Sequence, residues 1–154
     1  MEQFLNLTKD VLIEHNATLT LPKWLPNNLK PVAVWYREPL LAIIAYDEKQ
    51  VDNYDQSKIN IQVSSLEPVN IKVLNRVVQD LREQSNSASL LEVNNMHVLI
   101  VEDVEGIDVY YYYVVYIYDF NGNLEYTLTV KMPISYNDLI KIIESMKPVI
   151  NPTP

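Results

Sequence analysis

Residues 102–132, EDVEGIDVYYYYVVYIYDFNGNLEYTLTVKM, decide the fold of this chain. They contain a tyrosine-rich apolar run over 107–118, a polar turn over 119–123 and a second run over 124–131. Val, Ile and Tyr fit the pleated surface of a sheet better than they fit a helix. The Asn121-Gly122 pair is a frequent hairpin signal because both residues tolerate positive φ. This stretch therefore predicts a β-hairpin.

The two strands of this hairpin differ in how they present apolar residues. In the second strand apolar residues alternate with Glu, Thr and Lys, which predicts one buried face and one solvent-exposed face. The first strand is apolar on both faces, so it is expected near the centre of a sheet, with cover on each side or with one aromatic face left for a partner. The candidate interface or ligand face of that strand is formed by Tyr110, Tyr112, Tyr116 and Tyr118.

The rest of the chain supplies further strands and two main helices. Short apolar or alternating runs predict strands over 17–21, 32–36, 40–46, 59–64, 90–93 and 96–101. The strand over 59–64 is expected to have one solvent-exposed face. Asn94-Asn95 is expected to form a tight turn. Residues 47–58 are polar and predict a loop.

Two segments show helical spacing instead. Asn70 is a candidate N-cap, and apolar residues then recur at helical spacing to about residue 84, on Ile71, Leu74, Val77, Val78 and Leu81. Ser135 opens a second helix that Pro148 ends. The stripe of this last helix consists of Leu139, Ile142, Ile143 and Met146.

The element order predicts an α+β fold. Strands joined by short turns make a mostly antiparallel sheet, and the two main helices are expected to pack on one face of it as a two-layer sandwich. The 154 residues are expected to form a single domain, with a further helix over 1–14 and a loose tail over 148–154.

Composition excludes several classes of function. A net charge of −8 without a basic run disfavours nucleic acid and anionic membrane surfaces as partners. The absence of cysteine removes thiolate metal sites, disulfides and cysteine nucleophiles. Only Gly106 and Gly122 are glycine, which excludes glycine-rich phosphate loops. No stretch has the length of a membrane span or a signal pattern, so a cytoplasmic protein is expected, with an exported or excised ectodomain left open.

Two groups of residues are candidates for chemistry. His97 lies among apolar residues on a predicted strand, which favours a structural histidine, and His15 is the only other histidine. Four acidic residues crowd the predicted turn before the tyrosine strand, where they form either a solvated turn or a Ca²⁺ or Mg²⁺ site. They are Glu102, Asp103, Glu105 and Asp108.

Several short stretches are shared with a known structural group. They are Leu25-Pro26-Asn27-Asn28-Leu29-Lys30, Leu91-Glu92-Val93-Asn94-Asn95-Met96, Asn123-Leu124-Glu125-Tyr126-Thr127-Leu128, Ser135-Tyr136-Asn137-Asp138-Leu139-Ile140 and Glu144-Ser145-Met146. On the last four of these stretches, the half from about 90 to 146 resembles the C-terminal part of small α+β domains of the PsbP-like group. The upstream stretch over 25–30 resembles the leucine-proline entry to such a domain. That group includes domains of unknown function in prokaryotic secreted proteins and lipoproteins. Asn95 stands where that group usually has glycine. The resemblance implies a binding or accessory domain rather than an enzyme, and it assigns no functional residue.

Three functions fit these patterns. The favoured one is a non-catalytic binding or accessory module that uses the tyrosine strand to form a homodimer or to hold a protein partner. The alternative is a carrier of a small apolar ligand in a cavity between sheet and helices. A hydrolase or metal-dependent enzyme would need His97 to converge with carboxylates from 102–108, and no catalytic motif supports it. No cofactor is predicted.

Overall fold

The computed structural model describes residues 16–36, 40–67, 71–83, 87–105 and 110–149. The predicted helix over 1–14, the Asn70 cap and the end of the predicted tail lie outside these residues. The described part forms a seven-stranded antiparallel sheet, a separate two-stranded sheet and two α-helices. The prediction of an α+β fold with a mostly antiparallel sheet is therefore confirmed.

The elements follow the chain in a simple order. The strands are β1 (Thr20–Leu21), β2 (Lys30–Trp35), β3 (Ala42–Asp47), β4 (Ile59–Ser65), β5 (Ser87–Val93), β6 (Met96–Glu105), β7 (Tyr110–Asp119), β8 (Leu124–Val130) and β9 (Lys147–Pro148). The helices are α1 (Ile71–Glu83) and α2 (Tyr136–Glu144), and a 3₁₀ turn (Tyr54–Gln56) lies in the predicted loop before β4.

The large sheet consists of two meanders that meet in the middle. Its order is β2-β3-β4-β8-β7-β6-β5, so β2–β4 form one meander, β5–β8 form the other, and α1 connects them. The two meanders pair through β4 and β8, from Ile59 opposite Val130 to Ser65 opposite Leu124. The tyrosine strand β7 lies between β8 and β6, away from both edges, as predicted.

The two helices contact opposite faces of this sheet. Val98 and Ile100 of β6 share a hydrophobic cluster with α2, whereas their neighbours Leu99 and Val101 share a second cluster with Val78 of α1. Successive residues of a strand point to opposite faces. The expected arrangement, with both helices on one face as a two-layer sandwich, is therefore wrong. Sequence periodicity identifies the buried stripe of a helix but not the face that receives it.

We call the side that carries Val98 and Ile100 the core face. Its cluster unites residues from β3, β4, β6, β7 and β8 with α2 and with the segment over 17–21. Of the predicted stripe, Leu139, Ile142 and Ile143 are buried on α2. Met146 is buried just beyond the helix, which ends at Glu144 rather than at Pro148. Ser135 is the N-cap, and its hydroxyl accepts a hydrogen bond from the Asp138 amide at 3.1 Å. Each such local signal acts within a few residues, which is why the sequence predicted it.

The turns also follow the sequence, with one difference in mechanism. Asn94 and Asn95 have φ values of 50° and 64° and form the tight two-residue turn between β5 and β6. In the turn between β7 and β8 the positive φ belongs to Asn123, at 60°, rather than to Gly122. Gly122 is needed there for space, because a Cβ atom on it would lie 2.7 Å from the Thr18 carbonyl oxygen.

Three further details depart from the predictions. Asn60 is buried, although it lies on the face of β4 that was expected to be exposed to solvent. Val77 of α1 is exposed, although it belongs to the predicted buried stripe. Glu102, Asp103 and Glu105 lie within strand β6 rather than in a turn. For Asn60 and Val77, the polarity of a residue did not predict whether a neighbouring element covers it. For the acidic residues, a local run of charge did not prevent strand pairing with β7.

Candidate functional site

Opposite the core face, three of the four candidate tyrosines lie on one side of β7. Tyr112, Tyr116 and Tyr118 alternate with Val115 and Ile117, which are buried on the core face. The side chain of Tyr110, the first residue of β7, lies outside the described residues. We call the side that carries these three residues the tyrosine face. The predicted grouping of Tyr112, Tyr116 and Tyr118 thus agrees with the strand geometry.

Tyr116 is the most exposed described tyrosine of this face. It lies opposite Leu99 of β6 on one side and opposite Thr127 of β8 on the other. Its relative exposure is 37%, whereas Leu99 is buried under α1 at 2%. The part of the sheet covered by α1 therefore ends between these two residues, and the Tyr116 ring lies at the edge of the covered part.

The aromatic surface continues to the turn after β7. Phe120 is exposed, and its ring meets the His97 ring edge-on, with centroids 5.3 Å apart and an interplanar angle of 80°. His97 lies opposite Tyr118 on the neighbouring strand. An edge-to-face contact of this kind is a favourable packing of aromatic rings. Tyr116, Tyr118, His97 and Phe120 thus form one aromatic surface at the turn end of β7.

Partial burial raises the pKa of two ionisable groups at this surface. Burial raises the pKa of Tyr118, and the nearby carboxylate of Glu125 and the hydroxyl of Tyr116 raise it further. Burial also raises the pKa of Glu125, a hydrogen bond from the Ser64 hydroxyl at 3.4 Å opposes that shift, and Glu67 adds to it. Glu125 therefore ionises less readily than an ordinary glutamate.

Two buried polar atoms lie next to each other on the same side of the sheet. Asn60 of β4 and Thr129 of β8 are directly opposite, and they are 3% and 9% exposed. Within the described part of the chain, neither Asn60 Oδ1 nor Thr129 Oγ1 has a hydrogen-bond partner. A buried polar atom without a partner lowers stability.

The two described side chains of the hypothesised catalytic set, those of His97 and Glu102, do not converge. His97 and Glu102 are on the same strand, five residues apart, and point to opposite faces, so roughly 17 Å of strand separates their backbones. Asp108 and the side chains of Asp103 and Glu105 lie outside the described residues. Among the residues that are described, no group of three or more histidine or acidic side chains could hold a metal ion.

A second candidate site is a pocket at the end of the sheet where the β5–β6 and β7–β8 turns lie. Its volume is about 320 Å³. We call it the end pocket; its lining consists of Thr18, Thr20, Asn94, Met96, Asp119, Asn121, Gly122, Met146 and Pro148. None of the four candidate tyrosines lines it, so it is not the predicted cavity between sheet and helices.

Asp119 supplies the charge of the end pocket. Its side chain is 5% exposed. Oδ1 accepts a hydrogen bond from the Gly122 amide at 2.9 Å, and Oδ2 accepts one from the Thr20 hydroxyl at 3.4 Å. The Asp119 carboxylate therefore closes the turn after β7 and also faces the pocket.

Buried hydrogen bonds hold the segment over 18–20 against the sheet. The Thr20 amide donates to the Tyr126 hydroxyl at 2.9 Å, and the Thr18 amide donates to the Gly122 carbonyl at 2.9 Å. The pKa of Tyr126 is raised well above its ordinary value, mainly by burial and further by the charge of Asp119. These bonds fix one wall of the end pocket.

Sequence reasoning missed the end pocket because its walls are far apart in the chain. The segment over 18–20 meets the turn after β7 and the residues that follow α2, and no local pattern reports such an encounter. The available signal was Asp119 itself, an acidic residue placed directly after the apolar run of β7 and three residues before a glycine. That spacing suits a side chain that accepts from its own turn.

Comparisons of this chain with protein-family models, with curated proteins and with solved structures find no match. The resemblance to PsbP-like domains therefore stays a prediction. No described helix has the combined length and apolar character that crossing a membrane requires.

Proposed function

We propose that this chain is a non-catalytic protein-binding module whose contact surface is the aromatic turn end of the tyrosine face. The observation that carries the proposal is Tyr116, a large aromatic side chain left 37% exposed in the middle of a strand rather than at a loop tip. Tyrosine combines an apolar ring with a polar tip and is enriched among the residues that dominate binding energy at interfaces.

The electrostatics of this surface favour a second copy of the chain as the partner. The strand neighbours of Tyr116 are the uncharged residues Leu99 and Thr127, on a protein whose net charge is −8. The carboxylate of Glu125 lies opposite Tyr118, towards the turn end of the same surface. Two acidic molecules repel each other least where the contact is made through uncharged residues, as around Tyr116. A two-fold interface also places the same patch of both copies in contact, so one aromatic surface suffices for both sides.

The alternative function, a small-ligand carrier, is favoured by a different observation. The end pocket is large enough for a small molecule, but a carboxylate and several hydroxyl and amide groups line it. Its chemistry suits a polar ligand rather than the apolar one expected from the sequence.

Sedimentation velocity over a range of concentrations tests the protein-binding proposal. We expect the wild-type chain to self-associate and Tyr116→Asp to weaken that association at least tenfold, which is about 1.4 kcal/mol. Tyr136→Asp is the matched control, because Tyr136 is 36% exposed and lies on α2, beyond the opposite face. A chain that stays monomeric at millimolar concentration, or equal effects of the two substitutions, would overturn the proposal.

A further inference from the structure

The end pocket contains a charge that the described protein does not neutralise. Asp119 is the only ionisable residue among its described lining residues, and the two donors that bond it within the described residues, the Gly122 amide and the Thr20 hydroxyl, are neutral. A carboxylate accepts about four hydrogen bonds, so two neutral donors leave part of its capacity free. A buried charge is stabilised most by an opposite charge at hydrogen-bonding distance.

The other lining groups suit an organic cation. Thr18, Thr20, Asn94 and Asn121 line the same pocket, and their hydroxyl and amide oxygens can accept hydrogen bonds from N–H groups. Met96 and Met146 supply flexible thioether side chains, which pack well against methylene groups. One carboxylate is too few for a dedicated divalent-metal site, which takes several oxygen ligands from the protein.

The walls of the pocket are fixed before any ligand arrives. The Thr18 amide bonds the Gly122 carbonyl at 2.9 Å, and the Asn94 side-chain amide bonds the Glu144 carbonyl at 2.9 Å. These bonds join the segment over 18–20 to one turn and the end of α2 to the other. A pocket held in this way loses little conformational entropy on binding.

We propose that the end pocket binds a small primary amine, with its ammonium group hydrogen-bonded to Asp119 and its carbon chain against Met96 and Met146. The ligand is small, because about 320 Å³ lies at the lower end of the range for small-molecule sites. This proposal does not depend on the protein-binding function, which uses the other face of the sheet.

Amide chemical shifts of the full chain, titrated with 1,4-diaminobutane, test the proposal. We expect saturable shifts in the segments over 18–20, 94–96 and 119–122. The neutral analogue 1,4-butanediol has the same carbon chain and should leave these amides unchanged. No saturable shift with the diamine, or equal shifts with the diol, would overturn the proposal.

Two variants with the same change of charge separate the pocket from a general effect of the acidic surface. Asn121→Lys places a cation in the lining and should weaken diamine binding at least tenfold. Asn137→Lys places it on the first turn of α2, outside the lining, and should leave binding unchanged. Equal affinities of these variants for the diamine would overturn the proposal. Asp119→Asn should abolish binding, and its melting temperature reports whether the fold has survived the substitution.

Discussion

Leu99 and Tyr116 lie directly opposite each other on neighbouring strands, yet α1 covers Leu99 and leaves Tyr116 exposed. This cross-strand pair thus lies at the border between the part of the tyrosine face that α1 covers and the part that is exposed to solvent. Leu99→Ala should lower the free energy of unfolding by about 2–5 kcal/mol, because it opens a cavity under α1. Tyr116→Ala should lower it less, by about 1–2 kcal/mol, because this side chain is only partly buried. Chemical denaturation of both variants measures the difference, and equal losses would show that Tyr116 is part of the core.

The docking of α2 is tested by Ile142→Ala. Ile142 is fully buried in the cluster of the core face, so we expect a loss of about 2–5 kcal/mol and a clear fall in melting temperature. Asn137→Ala on the exposed side of α2 should cost less than about 0.5 kcal/mol. Lys141→Ala should fall between them at about 0.5–1 kcal/mol, because its Nζ atom lies 4.2 Å from the centre of the Trp24 ring. Similar losses at Ile142 and Asn137 would mean that α2 is not packed on the sheet.

Thr129→Val should stabilise the protein. Valine keeps the shape of threonine and removes a buried hydroxyl that has no hydrogen-bond partner among the described residues, a gain of about 1 kcal/mol. Thr127→Val, two residues earlier on the same face and only partly buried, is the matched control and should change stability little. Thermal melts measure both variants. A lower melting temperature for Thr129→Val would show that this hydroxyl makes a bond that contributes to stability.

Glu125→Gln should make the dependence of stability on pH shallower. Burial raises the folded-state pKa of Glu125, so the folded protein binds a proton there more tightly than the unfolded chain does. The stability from this group is then fully present below its ordinary pKa of 4.5 and is lost as the pH rises through the raised value. The variant should melt slightly higher than the wild type near pH 7, by no more than about 1 kcal/mol for a partly exposed group. The difference should vanish near about pH 4, and a difference that grows towards acid would contradict the sign of the shift.

The parts of the fold that the sequence predicted are those set by short-range physics. The cap at Ser135, the stripe through Leu139 and Ile143, and the Asn94-Asn95 turn all depend on residues a few positions apart. The face of the sheet on which each helix packs depends on how the chain connects that helix to the strands. No local sequence pattern determines this connection. Asn60 shows the same limit, because a polar residue on a strand does not report what lies over it.

In the candidate sites too, features set by local periodicity were predicted from the sequence, and features set by long-range contacts were not. The alternation along β7 predicted that Tyr112, Tyr116 and Tyr118 share a face, since the period of a strand is fixed. Their exposure could not be predicted, because it depends on where α1 ends its cover. The end pocket is assembled by contacts such as that of Thr20 with Asp119, 99 positions apart, and contacts at such a separation produce no periodic pattern in the sequence.

The small β1–β9 sheet has a consequence for the order of folding. It pairs Thr20 with Pro148, so it closes only after nearly the whole described chain has been brought together, and each of its strands has two residues. Long loop closure for so few contacts makes it a late step of folding and an early step of local opening. Amide hydrogen exchange should therefore be faster at Val149, whose amide bonds the Leu19 carbonyl at 2.8 Å, than at Leu128 in the centre of the large sheet. Because Thr20 and Pro148 also line the end pocket, each such opening would remove part of one wall of the pocket.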